Sequence, residues 1–346
     1  MPRAMPPRVS VVIDNYNYGR FLGQCLESAL AQDYPRDCLD IIVVDDGSTD
    51  DSHEVAGRFA DRIRLIVQKN AGQAGAFTTG LCAAQGDIVC LMDADDYWLP
   101  GKVRAVTAAF AASDAGIVQH PLLDVDAAGR PLPTTLPAWP DSYAIGDYLG
   151  GRVSLAAASG LALRRGLLRQ VLPIPFDIAY ASDAYLIVHG LLSSRARNLK
   201  EVLGCHRIHG RNNWAGYAGS AEKLERVLRL REVFHRHLDP KLEAYGLEYS
   251  PFFRLAEAAD IKRERMFIAM YRGRRPEAFR LWKELWQEKP LTLFNLFKCL
   301  TLLAALISPA FYLALNRSYA RNRWMPRLRE RLLAGTGGRD DHEKFP

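Results

Sequence analysis

The sequence predicts an α/β fold with a mostly parallel sheet in its N-terminal part and a helical appendage in its C-terminal part. Two patterns lead to this prediction. Short β-branched runs alternate with longer segments of helical period as far as residue 119, which is typical of βαβ units, and beyond Gly219 the chain shows helical patterns alone. The length of 346 residues, with 49% hydrophobic and 24% charged residues, suits one large globular domain with a smaller appendage.

The predicted strands and helices follow one another in a regular order. The strands are expected at 9–13, 41–44, 63–67, 88–92 and 117–119, and the helices between them at 21–31, 51–59, 73–84 and 101–112. Residues 121–153 are rich in Pro, Gly and Asp and predict an irregular excursion over the sheet, a kind of segment that often carries specificity. After this excursion we expect a strand at 159–163, a helix at 184–192 and a last strand at 202–207.

Charge divides the chain into two predicted regions. Residues 1–215 contain 20 Lys and Arg against 23 Asp and Glu, whereas residues 216–346 contain 25 against 16. We therefore predict a domain over 1–215 and a basic helical region over 216–346. A basic region beside an apolar stretch favours an anionic membrane surface as its partner over nucleic acid.

Cysteines and the N-terminus indicate a reducing compartment. The six cysteines show neither CxxC pairs nor Cys/His spacing, so the sequence predicts neither a zinc site nor a disulfide framework. The N-terminal residues run directly into the first predicted strand without the apolar segment of a signal peptide. We therefore expect the N-terminal domain to work in the cytoplasm.

Acidic residues follow three of the predicted strands. Asp14 follows the first, Asp45 and Asp46 the second, and Asp93 to Asp96 the fourth. Because ligands of open α/β sheets bind at the carboxyl ends of the strands, these clusters are expected to converge on one edge. Crowded carboxylates repel one another, and a Mg²⁺ or Mn²⁺ ion shared with substrate phosphates would relieve this repulsion. Locally, Asp50 also suits a helix cap.

Several other phosphate-handling classes lack their sequence signatures. No GxGxxG follows the first strand and no GxxxxGK[ST] occurs in the chain, which argues against dinucleotide oxidoreductases and P-loop enzymes. The string VVDDGSTD superficially suggests an aspartyl-phosphate phosphatase, but Val44 stands where that reading needs the first of two carboxylates. The sequence therefore argues against all three of these classes.

The ordered motifs resemble family 2 glycosyltransferases of the GT-A fold, which invert the anomeric centre. The resemblance rests on motifs around the first four strands, in order: VSVVIDNYNYGRFL, IIVVDDGSTDDS, KNAGQAGAFTTGL and GDIVCLMDADDYWLPGKV. It spans roughly residues 8–215, and the ordered set is far more specific than any single string. An aspartate at position 14, where many relatives have Thr or Ser, leaves the identity of the base open.

The resemblance implies a donor site for a nucleotide sugar. Asp14 and Tyr16 would line the nucleobase pocket, and Asp46, with Asp45 beside it, would accept a hydrogen bond from the base. Asp93 and Asp95 resemble the DxD element, which implies that Asp93 lies near the ribose and the metal and that Asp95 binds the metal. The metal would be Mg²⁺ or Mn²⁺. Gly72 and Gln73 are expected to approach the nucleotide.

The resemblance also assigns the acceptor side. Asp183 would be the base that takes the proton of the acceptor hydroxyl, although it also suits a helix cap. In CHRIHGRNNW, Arg207 and His209 are candidates to face the diphosphate, with a structural role as the alternative for His209. The QxxRW motif of processive synthases is absent from the sequence, which favours transfer of a single sugar.

Four further side chains are expected to be structural. Lys102 is predicted on a solvated helix face, with a phosphate contact as the alternative. Trp98, Trp139 and Trp214 are predicted to pack in the core, with sugar stacking as the alternative.

The apolar stretch at 291–315 contains Lys298 as its sole charge and is borderline in length for a span, which needs about 20 residues. A single span would export the arginines that follow it, so we predict helices lying in the interface, or a hairpin broken at Pro309, on the inner face of the cell membrane. A buried helix or an oligomer interface is the alternative.

The leading expectation is an inverting, metal-dependent glycosyltransferase that moves one sugar from a nucleotide diphosphate donor, with uridine favoured, to a carbohydrate or lipid-linked acceptor in surface glycan assembly. Two alternatives are a sugar-nucleotide nucleotidyltransferase, which would need a Gly-rich triphosphate loop, and a catalytically silent nucleotide-binding scaffold.

Overall fold

A computed structural model of the chain describes residues 5–210, 212, 219–287, 302, 303, 306 and 308. Contacts divide the chain into two compact units, one made of Met1–His209 with Arg236–Tyr245 and the other of Gly210–His235 with Gly246–Pro346. The predicted division into 1–215 and 216–346 stays a prediction.

Strands and helices alternate in the first part of the chain, and several strands follow one another directly after residue 88. The strands are β1 Val9–Asn15, β2 Leu39–Asp45, β3 Arg64–Val67, β4 Ile88–Asp93, β5 Tyr97–Trp98, β6 Ile117–Gln119, β7 Leu123–Asp126, β8 Ser142–Tyr143, β9 Leu161–Arg164, β10 Ala196–Asn198 and β11 Gly204–Ile208. The helices are α1 Gly19–Leu30, α2 Ser52–Gly57, α3 Gly72–Ala83, α4 Lys102–Ala111, α5 Ile145–Leu149, α6 Arg165–Val171 and α7 Ser182–Leu191.

The main sheet has the strand order β3-β2-β1-β4-β9-β6-β10-β8. β9 is antiparallel to β4 and to β6, and β8 is antiparallel to β10, whereas the other neighbours are parallel. The predicted mostly parallel sheet is therefore confirmed. The reversed β9 means that β6 leaves the sheet, and β9 enters it, at the edge where the parallel strands end.

Helices cover both faces of this sheet because the central strands are apolar on both sides. Val9, Val11 and Ile13 of β1 share one buried cluster with side chains of α1 and α4. On the other face α3 lies so close that a Cβ built on Gly80 would be 2.3 Å from Cγ1 of Val12. This packing fixes the start of α3 at the carboxyl edge of the sheet.

The excursion predicted at 121–153 contains regular elements that the prediction lacks. β7, β8 and α5 lie within it, and β7 joins β5 and β11 in a second sheet of order β5-β11-β7. The strand predicted at 159–163 begins at Leu161, and a 3-10 turn at Ala158–Gly160 precedes it. These short elements pair with distant partners, so local periodicity did not predict them.

The chain continues in helices beyond Gly219, as predicted for the described residues. They are α8 Ala221–Ala244, α9 Pro251–Tyr271 and α10 Arg275–Gln287. Ser250 caps α9 by accepting a 3.0 Å hydrogen bond from the Phe253 amide, and in the second unit Met266, Phe267 and Leu281 belong to a buried apolar cluster.

Most of the predicted membrane segment lies outside the described residues. Of residues 291–315, the structure describes Leu302, Leu303, Leu306 and Ser308. Across the described residues, no helix combines the length and apolar character that crossing a bilayer requires.

Candidate active site

The acidic ends of β1 and β4 lie side by side, as the sequence predicts. Asp14 and Asp93 are register partners in the parallel pair of β1 and β4. Asp95 and Asp96 follow in the next turn, where the amide of Asp96 donates a 3.0 Å hydrogen bond to the carbonyl of Asp93. We call Asp14, Asp93, Asp95 and Asp96 the β1–β4 cluster.

Negative charge in the β1–β4 cluster is poorly compensated. Burial, with a further contribution from Asp95, raises the pKa of Asp14 to about 7, and burial and Asp95 raise the pKa of Asp96 to about 7. Burial and the neighbouring carboxylates also raise the pKa of Asp93 well above its usual range. Oδ1 of Asp14 and Oδ2 of Asp96 are buried without a hydrogen-bond partner among the described residues. Such a cluster favours a bound cation.

The carboxylate of Asp95 lies against the imidazole of His209. Its Oδ2 lies 2.8 Å from Nε2 of His209, whose ring packs against Phe21 at 5.0 Å and Tyr18 at 5.4 Å between centroids. The described part of the chain contains no group of three or more His, Cys, Asp or Glu side chains at metal-binding spacing. The carboxylates of Asp93 and Asp95 are nevertheless oxygen ligands of the kind that Mg²⁺ and Mn²⁺ prefer, and such an ion takes its remaining ligands from phosphates and water.

Arg207 is held inside the protein. It is 2% exposed, and its guanidinium donates to the Asp95 carbonyl at 2.7 Å, to Gln24 Oε1 at 2.6 Å and to the Ala127 carbonyl at 3.1 Å. Its backbone amide donates to Asp96 Oδ1 at 2.8 Å. This geometry favours a role in holding the turn that carries the DxD residues, and the predicted diphosphate contact by Arg207 stays a prediction.

The carboxylates at the end of β2, Asp45 and Asp46, form what we call the β2 pair. Asp45 accepts hydrogen bonds from the Ser48 amide and Asn15 Nδ2, each at 2.8 Å, and lies 3.0 Å from Nε2 of His53. Burial acts to raise the pKa of Asp45, but these hydrogen bonds outweigh it and hold the pKa below its ordinary value. Asp45 is thus satisfied by the protein itself.

Asp46 is bound to the loop after β3. Its Oδ1 accepts hydrogen bonds from Gln68 Nε2 at 2.7 Å and from the Ala71 amide at 2.8 Å. Thr79 donates to Gln68 Oε1 at 2.6 Å and so orients the amide. The predicted contact with a base would therefore come from a carboxylate of fixed orientation.

Tyr16 is presented to solvent next to the β2 pair. It is 47% exposed, which leaves much of its side chain available. The following residue, Asn17, has a φ of 58° and accepts a 2.8 Å hydrogen bond from the Thr49 amide. The loop after β1 is thereby joined to the loop after β2.

Gly72 and Gln73 begin α3 at the same edge. Gly72 has a φ of +73°, which favours glycine, and a Cβ built on it would meet no atom within 4 Å. Gln73 Nε2 donates a 3.1 Å hydrogen bond to Asp93 Oδ1. The structure thus brings Gln73 to the β1–β4 cluster and leaves the backbone at Gly72 open to a ligand.

Asp183 lies in the first turn of α7. The residue before the helix is Ala181, without a side-chain cap, so Asp183 is not the N-cap residue. Burial raises the pKa of Asp183 to about 6, partly opposed by backbone hydrogen bonds, including one of 2.7 Å from the Ala184 amide. Its charge in turn raises the pKa of Asp93, so the two carboxylates belong to one electrostatic site.

The prediction for Lys102 was wrong. Lys102 is fully buried, and its Nζ donates to the Ser159 carbonyl at 2.7 Å and lies 3.5 Å from the centre of the Trp98 ring. Helical spacing carries the missed signal, because Lys102 stands four residues before Val106 and eight before Phe110 on the buried stripe of α4.

Two tryptophans and Asp50 show different degrees of agreement with their predicted structural roles. Trp98 is 3% exposed, as a core residue should be, whereas Trp139 is half-buried and donates to Ser154 Oγ at 2.9 Å. Asp50 accepts a 3.0 Å hydrogen bond from the Ser52 amide at the start of α2, in keeping with a local role. Trp214 lies outside the described residues.

Sequence reasoning missed His206. Its Nδ1 lies 3.0 Å from Oδ1 of Asp124, its register partner on β7. Burial opposes protonation, but Asp124 and the acidic turn outweigh it and raise the pKa of His206 to about 9. Because successive side chains of a strand point to opposite faces, His206 and Arg207 lie on opposite faces of β11. This alternation is the sequence signal that could have distinguished the role of His206 from that of Arg207.

Comparison with known proteins agrees with the geometry. The family model described as Glycosyl transferase family 2 matches residues 10–172. An uncharacterized glycosyltransferase from Nostoc sp. is 35% identical over 227 residues, which cover 63% of this chain and 70% of that relative.

Two further matches carry more descriptive names. The Escherichia coli UDP-Glc:alpha-D-GlcNAc-diphosphoundecaprenol beta-1,3-glucosyltransferase WfaP is 35% identical over 97 residues, or 28% of this chain and 38% of WfaP. The mannosyltransferase PcManGT from Pyrobaculum calidifontis, solved with GDP-Man and Mn²⁺, superposes with a TM-score of 0.55 at 19% identity, covering 90% of this chain and 86% of PcManGT.

The sequence match shows the family, and the structural match shows the fold. Together they favour glycosyl transfer over the nucleotidyltransferase and the silent scaffold that the sequence left open. The chain belongs to glycosyl transferase family 2 and is a glycosyltransferase of the GT-A fold.

Proposed function

We propose that this glycosyltransferase moves one sugar from a nucleoside diphosphate donor, with uridine as the base, to a hydroxyl of a carbohydrate or lipid-linked acceptor, with inversion at the anomeric carbon. One observation carries the proposal: the poorly compensated β1–β4 cluster and Asp183 share one electrostatic site. The cluster suits a diphosphate with its cation, and a carboxylate with a raised pKa suits proton removal.

The donor would lie along the carboxyl edge of the sheet. Tyr16 offers an exposed ring for the base, and the preceding residue, Asn15, accepts a 2.9 Å hydrogen bond from the backbone amide of Asp46. The side chains of Asp93 and Gln73, which share a 3.1 Å hydrogen bond, would contact the ribose and the first phosphate. The remaining proposed donor residues are Asp14, Asp45, Gly72, Arg207 and His209.

Asp95 and Asp93 would hold the divalent ion, with the imidazole of His209 adjacent to Asp95. Mg²⁺ or Mn²⁺ bound there would neutralise charge on the departing diphosphate. Arg207 would keep the turn in place through its bond to the Asp95 carbonyl. PcManGT, a structural neighbour, was solved with Mn²⁺, which supports a metal of this kind.

Asp183 would act as the base. The acceptor oxygen forms its bond to the anomeric carbon on one face while the bond to the phosphate oxygen breaks on the other, which inverts the centre. The hydroxyl proton goes to the Asp183 carboxylate, and the nucleoside diphosphate leaves with the electron pair of the broken bond. A pKa of about 6 keeps this carboxylate largely ionised at neutral pH and makes it a better base than an ordinary aspartate.

The proposed setting is surface glycan or polysaccharide assembly on the cytoplasmic side of the cell membrane. The excess of 25 basic over 16 acidic residues in 216–346 supports contact with anionic lipid, and the name of WfaP describes a lipid-linked acceptor. Fractionation with high-salt and carbonate washes tests this setting. Recovery of the whole protein in the soluble fraction without detergent would contradict it.

Calorimetry with a panel of nucleoside diphosphates, with and without Mn²⁺, tests the donor site. We expect UDP to bind in a Mn²⁺-dependent manner and Asp95→Ala to weaken this binding by at least about 10- to 100-fold, because loss of a metal ligand should cost no less than loss of a residue that supports one. Asp61→Ala is a matched control, since the Asp61 side chain is 80% exposed and outside the site. Unchanged Mn²⁺-dependent binding in Asp95→Ala would remove Asp95 from the metal site.

A further inference from the structure

The 3-10 turn at Ala158–Gly160 adjoins both halves of the candidate active site. The hydroxyl of Ser159 accepts a 3.0 Å hydrogen bond from the Asp93 amide and acts to lower the pKa of Asp96. One residue earlier, the backbone of Ala158 acts to lower the pKa of Asp183. Ser159 therefore contacts the acidic turn, and its neighbour Ala158 affects the electrostatics of the proposed base.

Two side chains hold this turn from behind. Lys102 Nζ at 2.7 Å and Trp98 Nε1 at 3.1 Å both donate to the carbonyl oxygen of Ser159. Lys102 is fully buried, Trp98 is 3% exposed, and the ammonium lies 3.5 Å from the centre of the Trp98 ring. The carbonyl, the ammonium and the indole form one compact contact.

The buried ammonium is costly in itself. Burial lowers the pKa of Lys102 to about 7, which shows how strongly the site disfavours the charge. An apolar chain of similar length would fill the same space without this cost. What lysine adds is a strong, charge-assisted hydrogen bond to one carbonyl and an interaction with one aromatic face.

The turn has little room to adjust on its other side. A Cβ built on Gly160 would lie 2.5 Å from the carbonyl oxygen of His120, whose amide donates a 3.0 Å hydrogen bond to the Gly160 carbonyl. Leu161 then enters the sheet, where β9 is paired with both β4 and β6. The turn is thus fixed by Lys102 and Trp98, by His120 and by the sheet.

We propose that the turn at Ala158–Gly160, braced by Lys102 and Trp98, sets the position of Asp93 and Asp96 relative to Asp183, and that Lys102 is a positioning residue of the active site. The inference rests on the proposed function, since it takes the acidic turn as the donor side and Asp183 as the base. It assigns Lys102 no contact with substrate.

Lys102→Met tests this role, because methionine keeps an unbranched side chain and removes the hydrogen bond. We expect calorimetry to show UDP binding in the presence of Mn²⁺ weakened about tenfold, as for other residues that support metal ligands. The half-saturating Mn²⁺ concentration should rise in parallel. Turnover of the donor found in the nucleotide panel should fall further than binding, because Asp183 also loses its fixed distance to the acidic turn.

Two controls on α4 separate positioning from general stability. Val106→Ala removes 1%-exposed apolar volume from the same helix without touching Ser159, and its melting temperature should fall while UDP and Mn²⁺ binding stay as in the wild type. Arg104→Met removes a cation whose side chain is 69% exposed and should change neither property. Equal loss of binding in Lys102→Met and Val106→Ala at equal loss of stability would overturn the inference.

Trp98→Phe provides a second variant if Lys102→Met does not fold. It keeps an aromatic ring beside the ammonium and removes the other donor to the Ser159 carbonyl, so a smaller loss of UDP and Mn²⁺ binding is expected. Wild-type binding in Trp98→Phe, together with either wild-type binding or misfolding in Lys102→Met, would overturn the inference.

Mn²⁺ titrated alone keeps the inference distinct from the proposed donor. A wild-type chain that binds Mn²⁺ but not UDP would count against the uridine donor, and weaker Mn²⁺ binding in Lys102→Met would still support the positioning role. Mn²⁺ binding equal in the two proteins would contradict that role. A wild-type chain that binds neither probe would overturn both.

Discussion

The β2 pair and the β1–β4 cluster look alike in sequence and differ in structure. Both are runs of aspartates at the carboxyl ends of neighbouring parallel strands. Asp45 and Asp46 receive hydrogen bonds from surrounding loops, and the pKa of Asp45 is held below its ordinary value. In the cluster, Asp14 and Asp96 each leave a buried oxygen without a partner among the described residues, and their pKa values rise to about 7.

The difference teaches that position at the sheet edge does not by itself decide what a carboxylate does. The β2 pair is completed by donors within the protein and acts as a rigid element. In the cluster, Asp14 Oδ1 and Asp96 Oδ2 have no such donor among the described residues, which suits the cluster to bind a cation together with its ligand. The following predictions distinguish the two regions, from the largest expected effect to the smallest.

Asp183→Asn should cause the largest change, because it removes the proposed base beside the cluster. Turnover should fall by about 10²- to 10⁴-fold, the usual contribution of a general base. UDP affinity in the presence of Mn²⁺ should stay within a factor of two or so, since the donor side is intact. Steady-state kinetics with parallel calorimetry measure both, and Asp177→Asn, with a side chain 45% exposed, is the control. Normal turnover in Asp183→Asn would place the base elsewhere.

The metal-free protein should lose stability as the pH rises from 5 to 7.5. Asp14 and Asp96 have pKa values of about 7 in the folded chain and about 4 when unfolded, so within this window the folded chain retains protons that the unfolded chain releases. The free energy of unfolding should therefore fall by about 5 kcal/mol over this window, about 2.5 kcal/mol for each carboxyl, and level off above pH 8.

Urea denaturation at several pH values measures this slope. Asp45, whose pKa is lowered, contributes in the opposite sense: its stabilisation is present above pH 4 and is lost at lower pH. Saturating Mn²⁺ should flatten the slope between pH 5 and 7.5. A free energy of unfolding that is constant over this range without metal would contradict the charge assignment of the cluster.

Removal of one charge from each region should change stability in opposite directions. Asp45→Asn places an amide against the donors Ser48 and Asn15 and should lower the free energy of unfolding by about 1–3 kcal/mol. Asp14→Asn removes a crowded buried carboxylate and should raise it by about 1 kcal/mol at pH 7.5 without metal. Asp61→Asn, with a side chain 80% exposed, is the control. Destabilisation of similar size in Asp45→Asn and Asp14→Asn would contradict the difference in charge compensation between the β2 pair and the β1–β4 cluster.

Tyr16→Ala should have the smallest effect. Loss of one stacking surface, 47% exposed beside the β2 pair, should weaken UDP binding by about 1 kcal/mol, or roughly fivefold, and leave its Mn²⁺ dependence unchanged. Tyr16→Phe should bind UDP as the wild type does. Calorimetry that finds Tyr16→Ala equal to the wild type would remove Tyr16 from the base pocket.

The sequence predicted the strands that are apolar β-branched runs and missed the short strands that are not. β1, β2, β4 and β6 are buried apolar runs, so the sequence locates them within two residues of their observed bounds. β5, β8 and β10 have two or three residues each, too few to show a period, and they form through pairing with distant strands. The direction of β9 likewise depends on its neighbours β4 and β6 rather than on its own residues.

Site residues that belong to sequence motifs were predictable, whereas residues positioned by packing between distant segments were not. The DxD residues and Gln73 follow strands that the sequence reveals, and the structure brings Gln73 to Asp93. Partners supplied by distant segments were not visible, such as Gln68 beside Asp46 or Ser159 beside Asp93. The charge of Lys102 alone predicts a solvated face, whereas its position on the buried stripe of α4 places it in the core.

The reversed direction of β9 has a consequence for engineering chimeric enzymes. Because β6 leaves the sheet and β9 returns to it at the same edge, residues 121–157 form a cassette whose two ends meet the framework at the carboxyl edge of the sheet. Exchange of this cassette between family members, with Ala158 and Ser159 retained, would keep β1, β2 and β4 but replace β7 and the Ala127 carbonyl. Because Arg207 donates to that carbonyl and β11 pairs with β7, a chimera that keeps the donor site needs a β7 segment that offers Arg207 the same acceptor.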